Sequence, residues 1–150
     1  MKTKIILGTF MLLTFWSNAQ TTDPALKEVK KIIEASNKTF SDFTNKNDGS
    51  ILARYTEDAC LFPPNAEPKC GGQQIDSFFR GGPQVHVKFT IQHLYGDAKS
   101  AVTEESFYEM TDMSGKKLDD GKVIVIWKKT KDGWKMHRDM FSSNHPAKQS

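Results

Sequence analysis

GKVIVIWKKTKDGWKMHRDMFSSN, residues 121–144, reads as two β-strands joined by a tight turn. Val123, Ile124, Val125, Ile126 and Trp127 are β-branched or aromatic, and Lys131-Asp132-Gly133 is a turn signal. Strict alternation along the returning strand puts His137 and Asp139 on one face with Phe141. Trp134, Met136 and Met140 then fall on the other. Ionisable groups beside an aromatic ring, late in a strand, can floor a pocket.

Working outward, residues 84–95 alternate cleanly. Val85, Val87, Phe89, Ile91, His93 and Tyr95 share a face, so a histidine stands inside an apolar series. Residues 98–111 form a further strand carrying Glu104, Glu105, Tyr108 and Glu109, with Glu104 or Glu109 inward. Residues 59–62 read as a strand that a proline-rich turn brings back near Lys69, and residues 73–79 as a short helix. Ahead of all these, Asp23-Pro24 is a helix start. Leu26, Val29, Ile33, Ser36, Phe40 and Phe43 recur at steps of three and four, predicting one helix of about six turns. Asn47-Asp48-Gly49 ends it, and a short second helix runs through Ile51, Leu52 and Tyr55. Helices first and strands afterwards indicate α+β: a curved antiparallel sheet wrapped, as a cone, around the long N-terminal helix.

The chain opens with Lys2 and Lys4, an apolar run of 12 residues from Ile5 to Trp16, then Ser17-Asn18-Ala19. That is the pattern of a secretory signal peptide over residues 1–19. The run is short of the roughly 20 residues of a membrane span, so no span is expected after cleavage. Residues 20–24 are a lead-in, 25–144 one domain, and 145–150 a disordered tail. The expected destination is a periplasm or the cell exterior. Lys2 and Lys4 carry two of the three net positive charges, leaving +1 on the mature chain. No basic block interleaved with aromatics remains, which argues against a nucleic-acid partner. Cys60 and Cys70 flank the proline-rich turn, so they can face each other as a disulfide or stay reduced.

Tyr55-Thr56-Glu57-Asp58-Ala59, Phe62-Pro63-Pro64-Asn65, Gly96-Asp97-Ala98, Trp127 and Asp132-Gly133-Trp134-Lys135-Met136-His137-Arg138-Asp139, in this order, resemble the SnoaL-like, ketosteroid-isomerase-like proteins of the nuclear transport factor 2-like superfamily. The resemblance implies a cone-shaped, cystatin-like α+β roll, frequent homodimers, and a pocket between the long helix and the sheet. Two departures stand out. Steroid isomerases of this fold carry a tyrosine on the first helix, where this chain has Phe40 and Phe43. The kinase association domain carries pocket arginines, where this chain has Val125 and Phe141. His93, ahead of Gly96-Asp97, matches.

His93, His137 and Asp139 form the candidate catalytic set, because a carboxylate beside an imidazole can poise it for proton transfer near neutral pH. The same residues serve equally as ligand contacts or as structural polar groups. Tyr55, Phe62, Phe79, Phe89, Trp127 and Phe141 complete the expected ligand-binding set. Trp134 is assigned to the opposite sheet face or a dimer contact. Two histidines and one carboxylate on separated strands make a poor metal site, so neither metal nor cofactor is expected. The expected function is an exported binder of a small organic molecule. The alternatives are a cofactor-free isomerase, cyclase or dehydratase, and a non-catalytic dimerisation module.

Overall fold

The computed structural model describes residues 23–147. The expected signal peptide, residues 20–22 of the lead-in and residues 148–150 lie outside the described residues. The chain folds as α1 (Pro24–Lys38), α2 (Phe40–Lys46), a 3-10 turn (Ser50–Arg54), β1 (Tyr55–Phe62), β2 (Lys69–Cys70) and α3 (Gly72–Phe79). Four long strands follow: β3 (Val85–Asp97), β4 (Ala101–Asp112), β5 (Lys117–Thr130) and β6 (Gly133–Ser143). Among the described residues no helix is long and apolar enough to cross a membrane.

Asp23 caps α1 as its sequence suggests, accepting a 2.8 Å hydrogen bond from the Ala25 amide. The expected single long helix is broken at Thr39, whose φ of −96° and ψ of 3° leave the helical region. The cause is a new partner for the last carbonyls of α1. The Arg54 guanidinium donates to the Ser36 carbonyl oxygen and, at 3.3 Å, to Thr39 Oγ1. Arg54 is itself buried and stacks 5.4 Å over Phe40 and 5.8 Å over Phe43. The buried stripe is also shifted. It runs Leu26, Val29, Ile33, Asn37, Ser41, so Asn37 rather than Ser36 faces the sheet. A step of four from Ile33 outweighs the apparent step of three.

The sheet is six-stranded, curved and unclosed, in the order β2-β1-β6-β5-β4-β3. Its consecutive neighbours are antiparallel, but β1 runs parallel to β6. The expectation of a wholly antiparallel sheet therefore fails at that one seam. Tight turns force antiparallel pairing on β3 to β6, whereas β1 reaches β6 from far away in sequence and is free of that constraint. Cys60 lies opposite Cys70 in the β1–β2 register, and the two form a disulfide. Closing this short loop stabilises by roughly 2–3 kcal/mol.

Two bulges decide which side chains face the helices. In β3 the alternation Val85, Val87, Phe89, Ile91 holds until a register shift between Ile91 and His93. Beyond it Leu94 is buried, while His93 and Tyr95 are exposed. In β6 a shift falls opposite Ile126–Trp127. The inward residues become Trp134, Met136, Asp139 and Phe141, with Met140 outward. Trp134 and Met136 thus belong to the core, contrary to the alternation-based reading. An extra residue in a strand reverses the face of everything beyond it.

Candidate functional site

A cavity of about 360 Å³ lies between α1–α2, α3 and the concave face of the sheet. That is within the usual range for a small-molecule site. Phe40 and Phe79 wall it on the helix side, and Phe40 meets Phe79 and the β3 residue Phe89 edge to face, with ring centroids 6.0 and 5.3 Å apart. Val123, Val125 and Phe141 wall it on the sheet side. Phe78, Gly82 and Pro83 lie at its edge.

Polar groups gather at two levels of the sheet. The inner level is set by Val125, which pairs with Glu104 on one side and Asp139 on the other. Asp139 is 7% exposed, and its Oδ2 accepts a 2.6 Å hydrogen bond from the Tyr55 hydroxyl. Burial first, and the neighbouring Glu104 carboxylate second, drive the Asp139 pKa up to about 6, against the opposing pull of the Tyr55 bond and Arg54. Burial and the Asp139 charge raise the Tyr55 hydroxyl well above its usual range. Glu104 is 1% exposed and accepts from Asn37 Nδ2 at 2.8 Å, Trp127 Nε1 at 2.8 Å and the Ser106 hydroxyl.

The second level is six residues along β5. Here Asp119 accepts from the Tyr108 hydroxyl at 2.7 Å and the Ser143 hydroxyl at 2.6 Å. Tyr108 reaches Asp119 because its ring crosses Gly121, where a Cβ would lie 2.7 Å from the ring and 2.0 Å from the Ser142 carbonyl oxygen. Burial alone would raise the half-buried Asp119 carboxyl. The two hydroxyl donors outweigh it and hold the group below its ordinary range.

Of the sequence-expected site residues, Asp139, Phe79, Phe89 and Phe141 line the cavity. Tyr55 does not line the cavity; it is buried behind Asp139. Trp127 is fully buried core and contributes its indole N–H to Glu104. Phe62 is half-buried and not among the lining residues; its neighbour Leu61 is. Both histidines leave the site. His93 is exposed beyond the β3 bulge, and His137 is turned away from the cavity by the β6 bulge. His137 Nδ1 lies 3.0 Å from Thr56 Oγ1 and 3.2 Å from Asp58 Oδ1. Burial, with Arg138 and Lys128 nearby, lowers its pKa against the Asp58 charge. The expected His137–Asp139 pair is therefore replaced by Tyr55–Asp139. Asn37, Glu104, Tyr108 and Asp119 were not among the expected site residues. For Glu104 the signal was present, since it alternates with Val102, Ser106 and Tyr108.

No protein-family model matches the chain, and no curated protein matches it in sequence. Solved structures do match. An NTF2-like protein with a cystatin-like fold from Novosphingobium aromaticivorans superposes with a TM-score of 0.64 at 10% identity, over 85% of this chain and 94% of that one. A ketosteroid isomerase-like protein from Erwinia carotovora atroseptica gives 0.60 at 17% identity, over 87% of this chain and 100% of that one. A putative calcium/calmodulin-dependent protein kinase II association domain from Xanthomonas campestris gives 0.59 at 17%, over 81% and 89%. The fold is the cystatin-like, nuclear transport factor 2-like α+β fold.

Proposed function

We propose that the protein is an exported binder of a small, largely apolar organic molecule, held in the cavity with Asp139 as its principal polar contact. One observation carries the reading: an aromatic and aliphatic cavity of about 360 Å³ with a buried carboxyl in its wall. The Cys60–Cys70 disulfide supports an oxidising destination, in keeping with the expected signal peptide. The test is titration of the disulfide-intact mature protein with a panel of apolar molecules, read by calorimetry. Saturable one-site binding that Val123→Phe abolishes without unfolding supports the reading. A folded protein that binds none of the panel overturns it.

A second reading is a cofactor-free isomerase, cyclase or dehydratase. It is favoured by the Asp139 pKa of about 6, which lets this carboxyl exchange a proton near neutral pH. In that reading Asp139 moves the proton and Tyr55 holds its Oδ2, with no part for His93 or His137. The bell-shaped or sigmoidal pH–rate profile of such an enzyme would carry an inflection near 6 that Asp139→Asn removes.

The outer sheet face bears exposed Phe107, Ile124, Ile126 and Met140, and Ile124 lies directly opposite Met140. Such a patch supports homodimerisation through that face, as does the likeness to an association domain. Light scattering on Ile124→Lys tests it: a dimer that persists unchanged excludes this interface.

A further inference from the structure

The cavity has a charge sign. Three acidic residues line it, Asp139, Glu104 and Asp119, and among the described residues no Lys, Arg or His does. A buried cation, Arg54, stands outside the lining, its Nη1 on the Ser36 carbonyl oxygen and its guanidinium over the faces of Phe40 and Phe43, although its Nε and Nη2 have no hydrogen-bond partner among the described residues.

Hydrogen-bond capacity at the inner level is equally one-sided. The Tyr55 hydroxyl is engaged by Asp139. Trp127 Nε1, the Ser106 hydroxyl and an amide hydrogen of Asn37 are engaged by Glu104. Acceptors remain. Asp139 Oδ2 takes the tyrosine, while Oδ1 accepts from no described residue although the side chain is more than nine-tenths buried. Asn37, on α1 across the cavity from the sheet, points its nitrogen at Glu104, so its Oδ1 is a second such acceptor in the lining.

Resting on the reading of this cavity as a binding site, we infer that it takes an apolar amine in its ammonium form and rejects carboxylates of the same shape. An ammonium brings three donors and no acceptor, matching Asp139 Oδ1 and Asn37 Oδ1. A carboxylate brings acceptors only. It would enter a largely apolar cavity already carrying like charges, with no cationic side chain in its lining among the described residues. Asp119, kept ionised by Tyr108 and Ser143, adds a second negative charge roughly 20 Å along β5, measured on an extended strand. That charge attracts an incoming cation and repels an anion. The apolar walls between the two levels fit a long or flat hydrocarbon body with its charged end innermost.

The experiment uses three probes of one chain length: decylammonium, 1-decanol and decanoate. Each is titrated near pH 7.5 into the disulfide-intact mature protein. The ammonium is expected to bind at least about 30-fold more tightly than the carboxylate, with the alcohol between them. Asp139→Asn is expected to cut that gap to about fivefold or less while leaving the alcohol within about threefold. Asp119→Asn, a change at a half-buried position, is the second variant and narrows the gap by a smaller factor. Lowering the pH to about 6, where decanoate is still mostly ionised, narrows the wild-type gap as well, because Asp139, facing Tyr55, Glu104 and Arg54, is then partly protonated. Decanoate binding as tightly as decylammonium overturns the inference and leaves the apolar-binder reading standing. So does a gap that neither variant moves. Failure of all three probes with the folded protein overturns the binder reading, and this inference with it.

Discussion

Two tyrosine–aspartate pairs stand on one concave wall, and they behave oppositely. Tyr55–Asp139 and Tyr108–Asp119 have almost the same geometry, 2.6 and 2.7 Å. Yet the first carboxyl is pushed up to about 6 and the second is held below its ordinary range. A hydrogen bond from one phenol therefore does not set the protonation state. What differs is the surroundings. Asp139 is buried beside Glu104 and has one donor, whereas Asp119 is half-buried and has two. Desolvation and a like charge win at the inner level; hydroxyl donors win at the outer one.

The comparison breaks most severely at the residue that makes the inner level acidic. Glu104→Leu would strand Trp127 Nε1, Asn37 Nδ2 and the Ser106 hydroxyl in the interior. A loss of about 3–5 kcal/mol in urea unfolding is expected, with Glu104→Gln recovering part of it.

Asp139→Asn should move stability the other way. The folded state keeps the Asp139 proton to about pH 6, while the unfolded chain releases it near 3.8. Stability therefore falls as pH rises through that window, by up to about 3 kcal/mol. Asparagine removes the fall and still accepts from Tyr55. Unfolding curves near pH 4 and pH 7.5 should differ less in the variant, with a gain of about 2 kcal/mol at the higher pH. No gain there would mean that Asp139 titrates normally.

The phenols sharpen the contrast at smaller scale. Tyr55→Phe removes the only hydrogen bond that a described residue donates to Asp139 and should cost about 2 kcal/mol. Tyr108→Phe leaves Ser143 on Asp119 and should cost about 1 kcal/mol. Equal costs would erase the distinction. The smallest effect is expected from Asp119→Asn, below about 1 kcal/mol because that site is partly solvated. Its sign is opposite to that of Asp139→Asn. A carboxyl held low contributes stability above its ordinary pKa and loses it as the pH falls.

The same features explain what could be read in advance. The β5 alternation Val123, Val125, Trp127 is unbroken, and the structure buries all three. The capped start of α1, the hairpin turn at Gly133, the Cys60–Cys70 bond and the α+β order likewise follow from local chemistry. Both histidines were misplaced by one mechanism. Alternation counted through His93 and His137 assumes a regular ladder, and each lies at or beyond a bulge. The trace of each bulge is a change of phase: Ile91 to Leu94, and Met136 to Asp139, each three residues apart where a regular strand needs two. Leu94 is apolar, so the first could have been found. The second was hidden, because its marker is an aspartate. The parallel β1–β6 seam and the reach of Arg54 into the end of α1 depend on residues distant in sequence, and no local pattern announces them. At the other end, His145, first residue of the expected tail, is tied to Asp120 at 2.7 Å.

The β6 bulge holds one more consequence. Had the strand been ironed flat with its length unchanged, the inward series after Met136 would continue through Arg138 and Met140 instead of Asp139 and Phe141. A guanidinium would enter where a carboxyl now stands, and Tyr55 would lose its partner. The electrical polarity of this chamber is thus written in the spacing of the backbone as much as in the choice of side chain. A lineage that flattened the bulge without deleting a residue would exchange the carboxyl for a guanidinium, whereas one that lost the bulged residue with it would keep Asp139 inward.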